Sequence, residues 1–428
     1  MIDDISYAAT TEIDRHQQLL LQRHITYLSQ HSPFYRQMFA DLLITAADIR
    51  GYDDLVALPT TGKADLEDNE GQFLCVDEHG IADLCLTSGT TGKPVSFYQS
   101  GSDLERLASN EEIAMRTAGI CATDRVLIAA AIDRCFMAGM AYFLGLNKIG
   151  ATTIRAGSSS LAVVAQMVKQ LRPTAMVGVP TFFLALAQRL QQEGVNIAAC
   201  GVKRLLCIGE PVRSNELSLS ALGKKLQQLW GAQIYATYAS TEMATTFCDC
   251  EFGQGGHLPP QLMLVEILDE NGHRIDDETP GEVVATPLLV TAMPLLRFRT
   301  GDIASLYRKP CSCGRNSWRL GPVVGRKHQM FKCRGTTVYP PAIFNVLQQL
   351  DGVDGYYLEV YDQFELSDRI RVVVSCNNSE LTAATISSRI AAITRVTPEV
   401  VIVPGSAVRL KTTDNNKRKP VIFFDYRR

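Results

Sequence analysis

The distribution of apolar residues predicts helices first and a strand–helix alternation later in the chain. Residues 11–30 have the period of an amphipathic helix, with apolar positions at Ile13, Leu20, Ile25 and Leu28. From residue 126 onward, short continuous apolar runs predict strands over 126–132, 150–157, 174–180, 202–210 and 233–240. Helix-like stretches, including 161–171, separate them. This alternation predicts βαβ units on a parallel sheet.

The pattern of apolar and turn residues changes after residue 255, and this change predicts two further structural regions. Short strands over 262–272, 281–288 and 302–309, separated by turn residues, indicate a β-rich subdomain. After residue 325 a small α+β unit is expected, with strands over 356–364, 369–376 and 399–405 and a helix over 381–396. We therefore predict an α/β fold with a large N-terminal compound domain, 1–325, and a small mobile C-terminal lid domain, 326–428.

Composition narrows the class of protein. The 428 residues carry 42 Lys+Arg against 45 Asp+Glu, a net charge of −3, which argues against a dedicated nucleic-acid surface. An apolar content of 46% argues against an acidic disordered chain. No apolar run reaches the roughly 18 residues of a membrane helix. The acidic start lacks an export pattern, so we expect a cytoplasmic protein whose 12 cysteines are reduced.

The most specific segment is LTSGTTGKPVSF, residues 86–97. Its glycines free backbone N–H groups to face an anion, its hydroxyls add donors, and Lys93 supplies a point charge for phosphate. It is not a Walker loop, because Thr87 occupies the position of the first glycine and Pro94 that of the Ser/Thr. A flexible Ser/Thr/Gly turn is the simpler alternative. We predict a phosphate-binding loop.

The same segment resembles the phosphate loop of adenylate-forming enzymes, the AMP-binding superfamily. Other family motifs follow in the family's order: YASTE at 238–242, GEVVAT at 281–286, RTGD at 299–302 and GR at 325–326. LPTTGKADL at 58–66, AMPLLRFRTGD at 292–302 and CSCGR at 311–315 resemble the phenylacetate–CoA ligase branch. On these motifs the chain is identified as a member of that superfamily and branch.

The resemblance implies an AMP-forming acid–thiol ligase. Such an enzyme joins a small carboxylic acid, here expected to be aryl or arylalkyl, to AMP from ATP with release of pyrophosphate. It then transfers the acyl group to a thiol of CoA or of carrier-protein phosphopantetheine, in biosynthesis or aromatic catabolism. Capture of the adenylate by an amine, AMP transfer, and a non-catalytic nucleotide-binding relative stay open as alternatives. A carrier protein and a second copy of the chain are the candidate protein partners.

The resemblance also assigns the nucleotide residues. Phosphate contacts fall to Thr87, Ser88, Gly89, Thr90, Thr91, Gly92 and Lys93; adenine contacts to Gly209, Glu210, Pro211, Tyr238 and Ala239; ribose contacts to Asp302 and Arg326. Core packing is the alternative for Tyr238, and a turn residue is the alternative for Asp302.

Three catalytic roles and the hinge follow in the same way. Thr241 would contact the α-phosphate, Glu242 would bind Mg²⁺, and Lys417 would bridge the acid and the α-phosphate. Lys419 is the alternative lysine in this basic tail. His328 is the candidate pivot of the lid, although the branch usually has an aspartate there.

The resemblance also places the pocket for the acid, on one helix and one strand. The expected lining residues are Phe136, Met140, Tyr142, Tyr235 and Ala236. An aromatic and sulfur-containing lining suits an aryl acid, and ordinary core packing is the alternative. Bulkier residues replace the glycines and the Ala-His-Tyr of the branch here, so phenylacetate itself is not the predicted substrate.

Four ligand-type residues predict a metal site. Cys311 and Cys313 lie in a polar turn, where a buried apolar role for cysteine is not expected. Some members of the branch pair E-C-x₆-H with C-x-C to hold structural zinc, and Cys250 and His257 keep that spacing, with Asp249 in place of the glutamate. Four such ligands complete a tetrahedral Zn²⁺ site. Cys248 is the alternative to Cys250.

Overall fold

The computed structural model describes residues 2–69, 71–87, 95–333, 336–361, 369–378, 380–413 and 420–427, with backbone alone for 332, 333, 336 and 337. The described chain divides into two compact units. The first comprises the residues up to Thr300 together with Ala304–Pro322, and the second comprises Gly301–Ile303 together with the chain from Val323 onward. The predicted functional division into a core and a mobile lid stays a prediction.

The first unit contains helices α1–α8 and strands β1–β14, except that residues 301–303 of β12 belong to the second unit. Its helices are α1 (Thr10–His31), α2 (Pro33–Leu42), α3 (Lys63–Asp68), α4 (Gly101–Thr117), α5 (Met137–Ile149), α6 (Leu161–Leu171), α7 (Pro180–Gln192) and α8 (Ala221–Trp230). Its strands are β1 (Ile81–Leu86), β2 (Ser96–Ser100), β3 (Arg125–Ala129), β4 (Thr152–Arg155), β5 (Ala175–Gly178), β6 (Arg204–Cys207), β7 (Gln233–Ser240), β8 (Thr245–Cys248), β9 (Gly256–His257), β10 (Met263–Leu268), β11 (Gly281–Pro287), β12 (Phe298–Ala304), β13 (Leu306–Tyr307) and β14 (Arg319–Leu320).

A nine-stranded sheet organises this unit, in the order β13-β14-β9-β8-β7-β6-β5-β3-β4. The strands from β4 to β7 pair in parallel, and β8, β9, β14 and β13 continue the sheet with antiparallel pairs. The predicted βαβ units are therefore present. The observed strands are mostly shorter than predicted, because the apolar runs continue into the turns that follow them.

Alternate residues of each parallel strand face opposite sides of the sheet. Leu127 and Leu205 pack in one buried cluster with residues of α6, α7 and α8. Val126 and Leu206 pack in another with residues of α4 and α5. Because both faces are covered, these strands have continuous apolar sequences rather than alternating ones. Helices thus enclose the parallel part of the sheet on both sides.

The β-rich part of the first unit lies next in sequence. Strands β10, β11 and β12 hydrogen-bond in that order, and β1 and β2 form a separate antiparallel hairpin. The buried Arg297 side chain donates to Glu266 on β10 at 2.8 and 2.9 Å, which pairs the charge of this carboxylate. The predicted β-rich subdomain is present.

The second unit is a small α+β fold. Its elements are β15 (Gly325–Arg326), β16 (Phe331–Cys333), β17 (Thr336–Val338), α9 (Pro340–Gln348), β18 (Val353–Tyr361), β19 (Arg369–Cys376), α10 (Ala383–Thr394), β20 (Glu399–Ile402), α11 (Gly405–Thr412) and β21 (Phe423–Asp425). Four of the strands form a sheet in the order β20-β19-β18-β21. Helices α9 and α10 contribute Ile343 and Ile390 to its core. No described helix in either unit combines the length and apolar composition needed to cross a bilayer.

Candidate active site

The predicted adenine residues lie at the carboxyl ends of two neighbouring strands, β6 and β7. Gly209–Pro211 comes directly after β6, and Tyr238 lies near the end of β7, which pairs with β6. The segment 133–136, which leads into the pocket helix α5, follows β3 in the same sheet. Ligands of open α/β sheets bind outside the carboxyl ends of the strands. The sheet therefore gathers these predicted site residues at one edge.

The loop after β6 is fixed by a carboxylate. Gly209 adopts φ +70°, in the left-handed region that favours glycine. The next residue, Glu210, accepts hydrogen bonds from the Thr181 backbone N–H at 3.1 Å and from its hydroxyl at 2.9 Å. Thr181 lies in the first turn of α7. This helix therefore holds the loop, a contact that the sequence motifs did not indicate.

The turn after Tyr238 contains the predicted catalytic residues. Thr241 and Glu242 are half-buried in it, and Tyr238 packs its ring at 5.8 Å from that of Phe247. Ala239 is exposed and pairs with Thr246 on β8.

A buried arginine on α4 supports this turn. The Arg106 guanidinium donates to the Ala244 carbonyl at 2.7 Å and to the carbonyls of Leu262 and Leu288 at 2.7 and 2.5 Å. It also donates to the Thr245 hydroxyl at 3.0 Å. Arg106 thus fixes the carboxyl end of the YASTE segment. Sequence reasoning missed it, because one charged residue in a helix carries no signal of such a role.

The ends of the phosphate loop are joined. The Thr87 backbone N–H donates to the Val95 carbonyl at 3.0 Å, and its hydroxyl accepts from the Val95 N–H at 3.0 Å. Just before it, the Leu86 N–H donates to the Cys135 carbonyl at 2.9 Å. The other predicted phosphate residues, Ser88, Gly89, Thr90, Thr91, Gly92 and Lys93, lie outside the described residues.

The predicted acid-pocket residues fall into two groups. Phe136, Met140 and Ala236 are half-buried. Tyr142 and Tyr235 are 5% and 3% exposed and pack together in the cluster between the sheet, α4 and α5. For these two tyrosines the burial matches the core-packing alternative as well as a deep pocket wall.

The turn before Phe136 is strained. Arg134 and Cys135 have φ of +59° and +54°, and the Phe136 N–H donates to the Asp133 carbonyl at 3.3 Å. Two successive non-glycine residues in the left-handed region are uncommon, and such strain clusters at functional sites. This turn leads into α5 and also holds Leu86, so it links the pocket helix to the start of the phosphate loop.

A buried acid lies behind the pocket helix. The Glu111 carboxyl on α4 is 3% exposed and accepts from the Thr246 hydroxyl at 2.5 Å and from the Asn110 amide at 3.2 Å. Burial raises the pKa of Glu111 to about 7, although the two hydrogen bonds oppose the shift. The protein therefore holds a proton here that the unfolded chain would release.

We expect Glu111→Gln to remove a pH dependence of stability. From about pH 4.5 to 7 the unfolded chain loses this proton while the folded protein retains it, so wild-type stability falls as pH rises. The loss is about 3 kcal/mol over that window. The glutamine amide keeps an oxygen acceptor and does not ionise. Urea midpoints of both proteins at pH 4.5 and pH 8 measure this; a difference that is constant with pH would contradict it.

The predicted ribose residues lie in the second unit. Asp302 is 8% exposed and accepts a hydrogen bond from Arg326 Nε at 3.1 Å. The two residues are opposite each other in the β12–β15 pair. His328 is exposed in the short helical turn Lys327–Gln329. Lys417 and Lys419 lie outside the described residues.

The predicted metal ligands meet at the antiparallel end of the large sheet. Cys250 follows β8, His257 lies in β9, and Cys311 and Cys313 lie in the turn between β13 and β14. Their ligand atoms all lie within 4.8 Å of one another. The Cys250 and Cys311 sulfurs are 3.7 Å apart, and Cys313 Sγ is 3.5 Å from His257 Nε2. The alternative ligand Cys248 belongs instead to the core that contains Tyr142.

Burial and polar neighbours change the pKa values of three residues in this cluster. His257 Nδ1 is 3.1 Å from the Ser317 hydroxyl, which orients the ring. Burial, with nearby Arg315 and Arg319, lowers the pKa of His257 to about 3, so the ring is neutral. Burial opposes ionisation of Cys313, but hydrogen bonds from the Arg315 backbone and guanidinium outweigh it and lower the thiol pKa. Burial raises the pKa of Cys250 to about 12.

Comparison with known proteins identifies the family. The model of the AMP-binding enzyme family matches residues 37–290, more than half of the chain. A phenylacetate–coenzyme A ligase of Thermus thermophilus is 28% identical over 344 residues, covering 79% of this chain and 75% of its own. The phenylacetate–coenzyme A ligase of Escherichia coli is 25% identical, covering 89% and 86%.

A solved structure shows the same fold. The 2-hydroxyisobutyryl-CoA ligase, in its postadenylation state with R3-HIB-AMP, gives a TM-score of 0.86 at 22% identity and covers 98% of this chain and 91% of its own. The chain belongs to the AMP-binding enzyme family. Its predicted fold, enzyme class and resemblance to the phenylacetate–CoA ligase branch are confirmed.

Proposed function

We propose that this enzyme uses ATP to convert an aryl or arylalkyl carboxylic acid into an acyl-adenylate and pyrophosphate, and then transfers the acyl group to the thiol of CoA. The observation that carries the proposal is the placement of Gly209–Pro211 after β6 and of Tyr238–Glu242 at the carboxyl end of the neighbouring β7, where nucleotides bind in such sheets. Family membership and the CoA ligases among the relatives support it.

The adenine base would lie between the Gly209–Pro211 loop and the half-buried ring of Tyr238, whose face is a stacking surface. Thr241 would donate to the α-phosphate. Glu242 would supply a carboxylate oxygen to Mg²⁺, a hard cation that prefers oxygen ligands. Arg106 would keep these two residues in place through its bond to the Ala244 carbonyl.

In the second unit, the Asp302 carboxylate would accept from both ribose hydroxyls, since one charged group with two oxygens can bind a vicinal diol. Arg326 already donates to Asp302 and would orient it for that task. The loop 88–93 would hold the β- and γ-phosphates through its backbone and Lys93.

The pocket for the acid supports an aromatic substrate. The half-buried Phe136 and Met140 are on or next to α5, and Ala236, the third half-buried residue of the expected lining, lies on β7. An aromatic ring and a thioether pack well against an aryl group. Phosphopantetheine of a carrier protein presents the same thiol arm as CoA and stays a predicted alternative acceptor, as the homodimer stays a predicted assembly.

We also propose that the cysteine–histidine cluster holds a structural Zn²⁺. With Zn–S near 2.3 Å and Zn–N near 2.0–2.1 Å, a regular tetrahedron separates two sulfurs by about 3.8 Å and a sulfur from a nitrogen by about 3.5 Å. The observed separations are 3.7 and 3.5 Å. Four protein ligands leave no open coordination position, so the metal would support the fold rather than the reaction.

The function is tested by ATP–pyrophosphate exchange with a panel of benzoic, phenylacetic, cinnamic and short aliphatic acids. We expect exchange with at least one aryl acid at more than tenfold the rate without acid, and AMP release that requires CoA. Replacing CoA with a loaded carrier protein, or with an amine, separates the acceptors. Absence of exchange with every acid would contradict the adenylation step, whereas exchange without CoA-dependent AMP release would contradict the second step alone.

A further inference from the structure

An ion pair lies between the metal cluster and the nucleotide edge of the sheet. Asp249 immediately precedes Cys250 at the end of β8, and Arg213 comes two residues after Pro211 of the adenine loop. The Arg213 Nε donates a short hydrogen bond to Asp249 Oδ2. The two side chains are 10% and 1% exposed. A buried pair of this kind holds its neighbours firmly, because separating it leaves a charge without compensation.

Asp249 fixes the strand that ends in the adenine tyrosine. Its carboxylate accepts from the Ala236 N–H at 3.1 Å, and its own N–H donates to the Ala236 carbonyl at 3.0 Å. Ala236 lies on β7, two residues before Tyr238. Both backbone polar groups of Ala236 are therefore held by one residue from the metal side.

Arg213 ties the adenine loop to the same strand. Besides Asp249, its guanidinium donates to the Ile234 carbonyl of β7 at 3.4 Å and to the Leu217 carbonyl at 3.0 Å. Arg213 thus joins the segment after Pro211 to β7 on one side and to the turn at Leu217 on the other.

The metal loop packs directly on this guanidinium. Gly253, between the ligands Cys250 and His257, adopts φ +60°, and a Cβ there would come within 2.1 Å of Arg213 Nη2. The backbone of the loop therefore approaches the arginine as closely as a glycine allows. A second contact, from the Gln233 amide to the Glu251 carbonyl at 3.4 Å, joins the loop to the start of β7.

We propose that Arg213 and Asp249 are positioning residues that couple the metal loop, 250–257, to the nucleotide site. An ordered metal loop holds Arg213 and Asp249, and these hold both the strand of Tyr238 and the loop of Glu210. By linkage, nucleotide binding then strengthens metal binding by the same factor that metal binding strengthens nucleotide binding. The inference rests on the proposed nucleotide and zinc sites.

Variants of Arg213 test the positioning role. In zinc-loaded protein, Arg213→Ala is expected to raise the KM for ATP and the Kd of AMP at least tenfold, while the KM for the acid changes less than threefold. Arg213→Lys, which keeps the charge but not the forked donors, is expected to lie between the alanine variant and wild type. A uniform loss of kcat with unchanged KM for ATP would overturn the role.

A glycine pair separates this role from general destabilisation. The methyl group added by Gly253→Ala would collide with the Arg213 guanidinium, while no metal or nucleotide ligand is changed. We expect a severalfold rise in the Kd of AMP. Gly272→Ala is the matched control, since it also has a positive φ, +85°, but a Cβ there meets nothing within 4 Å. Equal effects of the two substitutions would overturn the proposal.

The coupling itself is measured without turnover, as the rate of zinc transfer to a chromogenic chelator. Saturating AMP is expected to slow the transfer about fivefold or more in wild type and not in Arg213→Ala. An unchanged rate with AMP in wild type, or a wild type without zinc, would overturn the coupling. Calorimetry with AMP distinguishes the outcomes. A wild type that binds no AMP contradicts the proposed function as well. If wild type and Arg213→Ala bind AMP with the same affinity, only this inference is contradicted.

Discussion

Lys417→Ala is expected to slow ATP–pyrophosphate exchange about 10²–10³-fold, with little change in the KM for ATP. Negative charge builds on the acid oxygen and the α-phosphate as they react, and one preorganised cation at that point contributes a factor of this size. Because the lysine would act in the transition state, the effect falls on kcat rather than on binding of the nucleotide.

The described residues on either side of this lysine are close together in the second unit. The Val421 N–H donates to the Thr412 carbonyl at 2.8 Å, so the end of α11 lies next to the residues that lead into β21. Lys417 lies between these two residues in sequence, outside the described residues.

Lys419→Ala is the matched control, since it removes an equal charge two residues away in sequence and is expected to change the exchange rate less than threefold. Thioester formation from a synthetic acyl-adenylate and CoA should be nearly unaffected in both variants. Full exchange activity in Lys417→Ala would contradict the assignment, and a large loss in Lys419→Ala alone would transfer the role to that residue.

The parallel sheet could be predicted because its strands are apolar on both faces. The run at 126–132 overlaps β3, the run at 174–180 contains β5, and the predicted strand 233–240 coincides with β7. Continuous apolar sequence between helix patterns is what a strand covered on both sides requires. Only the strand ends were wrong, since the pattern does not distinguish a buried strand from the buried turn after it.

Helix α4 shows what the pattern could not reveal. Its buried positions include Asp103, Arg106, Asn110 and Glu111, so the side that faces the core is largely polar. Hydrophobic periodicity reports a helix only when its buried side is apolar. These polar groups hydrogen-bond to residues far away in sequence, such as Ala244 and Thr246. The local sequence pattern does not predict such contacts.

The residues of the candidate site also include some that the sequence could predict and some that it could not. Residues in short motifs, such as Tyr238 or Cys311, could be predicted because those motifs resemble motifs of the family. The residues that hold them, such as Thr181, Arg213 and Asp249, act across the sheet, and their roles depend on strand order. Sequence alone therefore indicated which groups could do the chemistry, and the fold indicates what keeps them in place.

Cys250→Ser is expected to lose zinc and to lower the thermal unfolding midpoint. Wild-type protein purified without chelator should contain about one zinc per chain. Removing one of four ligands from a structural site costs about 3 kcal/mol or more, which corresponds to a fall of about 3–5 °C in a protein of this size. The sulfur–sulfur and sulfur–nitrogen separations of 3.7 and 3.5 Å are the reason to expect full occupancy.

The physical cause of that loss lies in the strands that the ligands join. Cys250 and His257 belong to the β8–β9 edge, whereas Cys311 and Cys313 belong to the turn that enters β14. Strands β9 and β14 are only two residues long, so their hydrogen-bonded ladder is short. A metal that bridges both segments would add stability that longer strands would otherwise provide.

Cys248→Ser is the matched control, because Cys248 and Cys250 are each 1% exposed and the substitution buries a hydroxyl equally in both. Cys248 lies in the apolar cluster with Tyr142 rather than among the ligand atoms. Cys248→Ser should therefore retain zinc while losing some stability. If Cys250→Ser retained zinc and Cys248→Ser lost it, Cys248 would be the metal ligand and Cys250 the core residue. Substoichiometric zinc in the wild type would contradict the metal site, because four such ligands within 4.8 Å of one another should bind it tightly at neutral pH.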